Sequence, residues 1–483
     1  MYEAIVIGQD LSSLTAALTA VRSGLKTVLI VEDSLEAEHR EAGYAFSIDP
    51  TPLSGFGQGQ IISQLLARLN LTQDGVPPVM RLDPALQIIL PGHRVDIFQD
   101  RERLIAEMIR EFPERPDEIR RFYHAVEKAG ELLDKWIRED FSDLRQDFRG
   151  FLRRAVRLPA VMTGRFSLTL PVNGKENSFR RVIEAQMGIL SHLEINGRLP
   201  LSAAYLLSLP ARGLFYPCGG RNAWMKWFCK RFIDSGGILQ ERCSVIRIDT
   251  EPEIRVDLER EGGSSTLQGN KLIVSTSWEK LNLLLLSRKP FSRLSRSFKT
   301  IRPVAYPFCL HMGVHEGGIP ERMAPYVVLV PDETRSIREG NFVFLETSIT
   351  GDTDRAPQGC RSITATVSLK DSPLRLDDSE LKEHATGIID SLEGFLPFLR
   401  ENIDYIHVEK SIALSRQCQE RVNQKYRAGK SRILGMNTMS PKTPVRNVFL
   451  TGGILMADQG FEGEIVSGMK AAFLAESEVH NHG

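Results

Sequence analysis

Residues 2–33, YEAIVIGQDLSSLTAALTAVRSGLKTVLIVED, constrain the fold more than any other stretch. An apolar run from Ala4 to Ile7 ends at Gly8 and an Ala/Leu-rich segment follows. Gly24 then leads into a second apolar run that stops at Glu32. Strand, helix and strand in this order predict a βαβ unit of the dinucleotide-binding kind. In an intact unit a G-x-G-x-x-G turn lets the backbone approach a pyrophosphate, whose charge rests on the helix N-terminus. Here the three glycine positions hold Gly8, Asp10 and Ser13. The architecture announces a nucleotide crevice, while the turn carries a carboxylate where a phosphate would approach.

With 483 residues and 42% hydrophobic content the chain can bury two large domains or one interleaved pair. Its 61 basic residues balance 61 acidic ones, so no global field attracts nucleic acid or an anionic membrane. Cys218, Cys229, Cys243, Cys309, Cys360 and Cys418 lie far apart, without a C-x-x-C pair for zinc, a cluster or a dithiol. Scattered thiols suit a reducing compartment. A strand beginning at Tyr2 leaves no room for a signal peptide, and no apolar run reaches about 18 residues. The expectation is a soluble, cytoplasmic chain. His311 and His315 sit four apart in HMGVH, where the pattern is strand-like, so they read as structural and no metal site is expected. No Ser/His/Asp or Cys/His set emerges from local spacing.

Along the chain, residues 53–100 alternate short apolar runs with Gly and Pro. Charged amphipathic helices are predicted from Arg101 to Glu139, broken near Pro113 and Pro116, and again from Ser178 to Leu209. From Gly213 the text reads as an apolar loop, a turn at Gly219-Gly220, a helix to Asp234 and short strands up to residue 277. Residues 300–375 predict a β-rich sheet, 378–397 an amphipathic helix, and the end a buried strand (NVFLTGG) followed by a helix. Nucleotide-fold fragments flank the middle of the chain, so the domains are expected to be discontinuous.

Three blocks in this order resemble the flavin-containing amine oxidase and phytoene desaturase superfamily. The first is the N-terminal βαβ. The second runs Gly213-Leu214-Phe215-Tyr216-Pro217, Gly219-Gly220, Gly236-Gly237 and Val245-x-x-Ile248. The third is Asn447 to Gly453 followed by Gly460-Phe461-Glu462-Gly463 and Ser467-Gly468. Tyr44 and Phe46 echo the family's "G-Y-x-F" strand. The resemblance implies an α/β fold: a Rossmann-like FAD-binding domain from residues 1–100, 210–290 and 440–483, interleaved with a mixed-sheet and helical substrate domain from 100–210 and 290–440. It implies FAD in an extended crevice, accepting hydride from a largely apolar substrate. It places the cofactor against Gly8, Asp10, Leu11, Ser12, Ser13, Glu32, Val245, Gly452, Gly453, Gly460, Phe461 and Glu462. No catalytic side chain is nominated.

The departures fall on the flavin contacts. Asp10 and Ser13 replace two turn glycines, the family's glycine-rich segment after the second strand is Glu36 to Arg40, its "F-D-x-G-P" Asp and Gly are Ser47 and Asp49, and its closing Asp is Gly453. Glu32 lies one residue beyond the family spacing, so Val31 competes with it for the ribose position. A carboxylate about 4 Å from a phosphate oxygen costs roughly 4 kcal/mol at an effective dielectric near 20, which is about a thousandfold in affinity. Losing the closing carboxylate removes a charge-assisted hydrogen bond worth about 1.5–3 kcal/mol. Asp10 also suits an N-cap, supplying the helix with an anion of the chain's own. The alternative to a flavin-dependent oxidoreductase is therefore a flavin-free relative that binds an apolar ligand or a protein partner. Tyr216, Trp224, Trp227 and Phe228 read as helical core or as an apolar cavity wall. The arginines of residues 145–165 read either as a solvated face paired with Asp140, Asp143 and Asp147 or as a surface for membrane or an acidic partner.

Overall fold

The βαβ unit forms as β1 (Tyr2–Ile7), α1 (Leu11–Arg22) and β2 (Thr27–Ile30), with Ala4 opposite Thr27 in the parallel pair. The computed structural model describes residues 1–71, 75–142, 178–194, 202–276, 278–285, 301–335, 337, 340–419, 421–428 and 440–480. Val28, Leu29 and Ile30 are fully buried, as a parallel strand covered on both faces requires. A hairpin of β3 (Glu38–Glu41) and β4 (Tyr44–Ser47) follows, then α2 (Ile61–Arg68), β5 (Val79–Arg81), β6 (Leu86–Leu90) and β7 (His93–Ile97). The helical region comprises α3 (Arg101–Glu111), α4 (Pro116–Ser142), α5 (Ser178–Leu190), α6 (Ser202–Leu207) and α7 (Leu209–Arg212), with the expected break between α3 and α4.

The chain returns through β8 (Phe215–Pro217), which pairs with β5, and α8 (Arg221–Asp234). It then adds β9 (Ile238–Gln240), β10 (Ser244–Asp249), β11 (Ile254–Arg260), β12 (Gly263–Val274) and α9 (Trp278–Leu284). The second sheet is built from β13 (Ile301–His315), β14 (Tyr326–Leu329), β15 (Val343–Thr347) and β16 (Cys360–Leu369). Then come α10 (Asp378–Glu393), β17 (Ile403–Ile406), α11 (Val408–Gln417), β18 (Lys425–Ala428), β19 (Val448–Leu450) and α12 (Gly460–His480).

The first sheet has the order β10–β11–β12–β1–β2–β9, with β19 on β12. β12 is its joint: residues 263–269 pair antiparallel with β11, and residues 271–274 run parallel to β1. α1 packs between α8 and α12. A side chain at Gly468 would collide with the Ser12 carbonyl, so glycine is required where α12 crosses α1. The second sheet runs β17–β13–β16–β15–β14–β6–β7, with β18 on β13. Leu381, Ile388 and Leu392 of α10 share a core with Phe308, Leu310 and Ile363. β6 and β7, expected with the first sheet, belong to the second, where Ile88 lies opposite Val328. The strand that β6 pairs with, β14, is too far along the chain for any local pattern to encode the pairing.

One buried ion pair joins the hairpin to this sheet. Arg355 is fully buried and donates to Glu346 Oε1 at 2.7 Å, to Ser47 Oγ at 3.2 Å and to the Ala45 carbonyl at 3.4 Å. Arg355→Met would leave Glu346 buried without its counter-charge, and such losses cost about 3–5 kcal/mol. A correspondingly lower urea midpoint is expected, partly restored by adding Glu346→Gln; an unchanged midpoint would contradict this account.

Candidate functional site

The parallel strands β1, β2, β12 and β19 all end at one crevice of about 730 Å³. This is where open α/β sheets hold ligands. Gly8 opens the turn; a Cβ there would lie 2.7 Å from Ser13 Cβ and 2.9 Å from Ser275 Cβ, so the backbone passes too tightly for a side chain. Asp10 then caps α1. Its Oδ1 accepts from the Ser13 amide at 2.9 Å, and its Oδ2 accepts from Ser12 Oγ at 2.8 Å and from Ser275 Oγ at 2.6 Å. Ser13 Oγ completes the turn by donating to the Asp10 carbonyl at 2.8 Å. The helix N-terminus therefore already holds an anion.

At the far end, Val31 is fully buried in the core and Glu32 is the side chain that lines the crevice. Its carboxylate accepts from the Val245 amide at 3.3 Å and is ion-paired to Lys280. Gly452 and Gly453 close the crevice between β19 and α12, where the Gly452 amide donates to Ser467 Oγ at 3.3 Å.

Gly8, Asp10, Glu32, Val245, Gly452 and Gly453 are thus brought together. Leu11 and Phe461 line an adjoining cavity of about 70 Å³. Ser12 and Ser13 are fully buried beneath the turn. Gly460 packs against the Leu190 carbonyl, and Glu462 accepts a hydrogen bond from the buried Tyr205 hydroxyl; neither lines the two cavities. Trp224 and Phe228 line the smaller cavity, while Tyr216 and Trp227 are core. The arginine-rich stretch 145–165 lies outside the described residues.

A second polar cluster was not read from the sequence. Asn423 Nδ2 donates to Asp49 Oδ2 and to Glu464 Oε1, both at 2.7 Å. Arg221 donates to the Asp49 carbonyl at 2.5 Å, and His192 Nε2 stands 3.6 Å from Glu464 Oε1. Burial raises both carboxyls, Glu464 to about 7, and lowers Lys425 to about 8 and His192 to about 3. The signal for Glu464 was present in GFEGE, directly beyond the closing glycine; nothing local marks Asn423.

These residues fit FAD at one end and not along its middle. Glu32 and the Val245 amide suit an adenosine, and Thr276 Oγ1 and Gln9 Oε1 are buried there without a partner among the described residues. At the pyrophosphate position Asp10 fills the helix N-terminus. The family's closing carboxylate is absent, and a side chain at Gly453 would have to move Asn423 Oδ1 aside. Beyond it, about 70 Å³ holds a few waters rather than a tricyclic ring. Arg221 Nη2 and Trp224 Nε1 are buried in that cavity's wall without partners among the described residues.

The fold is shared with solved oxidoreductase and amine oxidase structures. It is 22% identical over 378 residues to the chloroplastic prolycopene isomerases 1 and 2 of an Oncidium hybrid cultivar, a match covering 74% of this chain and 62% of theirs. An oxidoreductase from Methanosarcina mazei superposes with a TM-score of 0.60 at 12% identity over 97% of this chain and 99% of its own. Cyclohexylamine oxidase from Brevibacterium oxydans IH-35A gives 0.57 at 12% identity over 99% of both chains. No family model matches. No helix among the described residues is long and apolar enough to cross a membrane.

The raised Glu464 generates a pH dependence. The folded protein keeps this proton up to about 7, whereas an unfolded glutamate releases it near about 4.3. Its contribution to stability is full below the unfolded value and is lost as pH climbs towards the folded one. Glu464→Gln preserves an acceptor for Asn423 and removes the titration. The variant should lose less stability than wild type between about pH 4.5 and 7 in urea unfolding, and parallel curves would refute the assignment.

Proposed function

We propose that the chain is an oxidoreductase or isomerase of the amine-oxidase and desaturase type, acting on a largely apolar substrate with FAD as its redox group. The crevice at the strand ends carries this reading, with Glu32 and the Val245 amide at its adenosine end. The activities named for the similar proteins support it, isomerase and oxidoreductase or oxidase alike. When bound, FAD supplies the hydride acceptor, chemistry that belongs to the cofactor. The chain's own part is placement: Gly8 keeps the turn close, and Leu283, Leu284, Val422 and Ile454 give the crevice apolar wall. Because Asp10 opposes the pyrophosphate, the cofactor is held weakly and exchanges.

Asp10 and the small inner cavity favour a second reading, a flavin-free relative of the same fold that binds an apolar ligand or a protein partner.

The visible spectrum of freshly purified protein, followed by FAD titration, separates the two. Flavin bands, native or regained on titration, support the first reading and end the second. A colourless protein indifferent to added FAD does the reverse. Asp10→Asn keeps the cap and removes the charge, so FAD should bind more tightly, by up to about a thousandfold. Gly453→Asp alone should help less, since Asn423 must first move aside and Asp10 still opposes the phosphates. An unchanged dissociation constant in Asp10→Asn would show that the phosphates do not lie at this turn.

A further inference from the structure

The sheet brings together a thiol, an imidazole and a carboxylate that the sequence keeps far apart. β13 and β16 pair so that His315 lies directly opposite Cys360, at the end of their ladder. β17 runs along the other side of β13, with Tyr405 opposite Gly313, and carries Asp404 to the same end. Cys360 Sγ is 3.3 Å from His315 Nδ1, and His315 Nε2 is 3.6 Å from Asp404 Oδ1. The hydroxyl of Tyr44, on β4, donates to Asp404 Oδ2 at 2.7 Å.

The arrangement is held rigidly. Tyr44 lies over Gly313, where any side chain would collide with its ring. It stacks on Phe46 at 5.8 Å and on Tyr405 at 6.1 Å. His315 and Asp404 keep 55% and 44% of their side-chain surface open, so small molecules reach the pair from solvent; Cys360 itself is 8% exposed. None of the three lines the crevice. The other cysteines differ. Burial pushes the Cys309 thiol up to about 12 and Cys229 to about 11, and raises Cys218 and Cys418. Cys243 spends its hydrogen on the Glu241 carbonyl at 3.0 Å.

We propose that Cys360 is a reactive thiol, with His315 as its base and Asp404 as the positioning residue, forming a site for oxidation by peroxides. The geometry has the two contacts such a site needs: nucleophile to base, and base to the group that orients it. The thiol proton passes to His315 Nδ1, leaving a thiolate beside an imidazolium that Asp404 stabilises. The thiolate attacks one peroxide oxygen and the O–O bond breaks. The departing hydroxide takes the proton from the imidazolium and leaves as water. Sulfur is oxidised by two electrons to a sulfenic acid, and one peroxide is reduced. The titratable groups facing the pair are Asp404 from β17 and Tyr44 from β4, whose hydroxyl also meets the Cys360 thiol; Glu316 and Arg361 follow His315 and Cys360 in the chain.

The full-length protein would be treated with iodoacetamide between about pH 6 and 9 and its six cysteines mapped by peptide mass spectrometry. Cys360 should be labelled at least about tenfold faster than Cys218 near pH 7. His315→Gln should slow that labelling about tenfold near pH 7 and by less as the pH rises towards about 9. Asp404→Asn should fall between the two, with the same pH signature. Hydrogen peroxide followed by a 1,3-dione trap should tag Cys360. If His315→Gln does not fold, Asp404→Asn and the wild-type mapping decide alone. Labelling of Cys360 no faster than Cys218, or a pH profile insensitive to these substitutions, would overturn the proposal.

Discussion

The carboxylate of Asp10 satisfies a demand that every helix start creates, free amides in need of an acceptor. It also takes hydroxyl hydrogens from Ser12 in α1 and Ser275 just beyond β12. One side chain thereby ties the first helix to the neighbouring strand at the point where the parallel strands end. In most crevices of this architecture that demand is met by a ligand's phosphate. Here the chain meets it, which leaves charge recognition to the Glu32–Lys280 pair at one end and the Arg221 cluster at the other.

How much of this was legible in the sequence depends on the range of the interaction. The βαβ unit, the break at Pro113–Pro116 and the closing strand and helix are local patterns of burial period and backbone restriction, and they could be read directly. The membership of β6 and β7 could not, because Ile88 meets Val328 across about half of the chain. Asn423 likewise has no local signature; its role comes from standing between Asp49 and Glu464. Cys360, His315 and Asp404 are each unremarkable alone, and His315 read as structural. Strand register makes them a set.

The closing helix shows what motif resemblance does and does not carry. Glu462 and Glu464 stand two residues apart, on different faces of α12. Glu462, the position the resemblance assigns to the cofactor, faces Tyr205, whereas Glu464 faces the inner cavity. The motif fixed the course of the backbone. Which carboxylate enters the cavity followed from partners supplied by α6 and the segment before β18.

The crossing at Gly468 ties the beginning of the chain to its end. α1 is made long before α12, which completes its buried surface, and β12 receives β19 only shortly before α12. A nascent chain therefore carries a half-covered apolar sheet until β19 and α12 have been made. Contacts this distant in sequence are slow to close. Loss of the final helix would strand the first one without its mate, so a truncation at the C-terminus would be felt at the N-terminal turn.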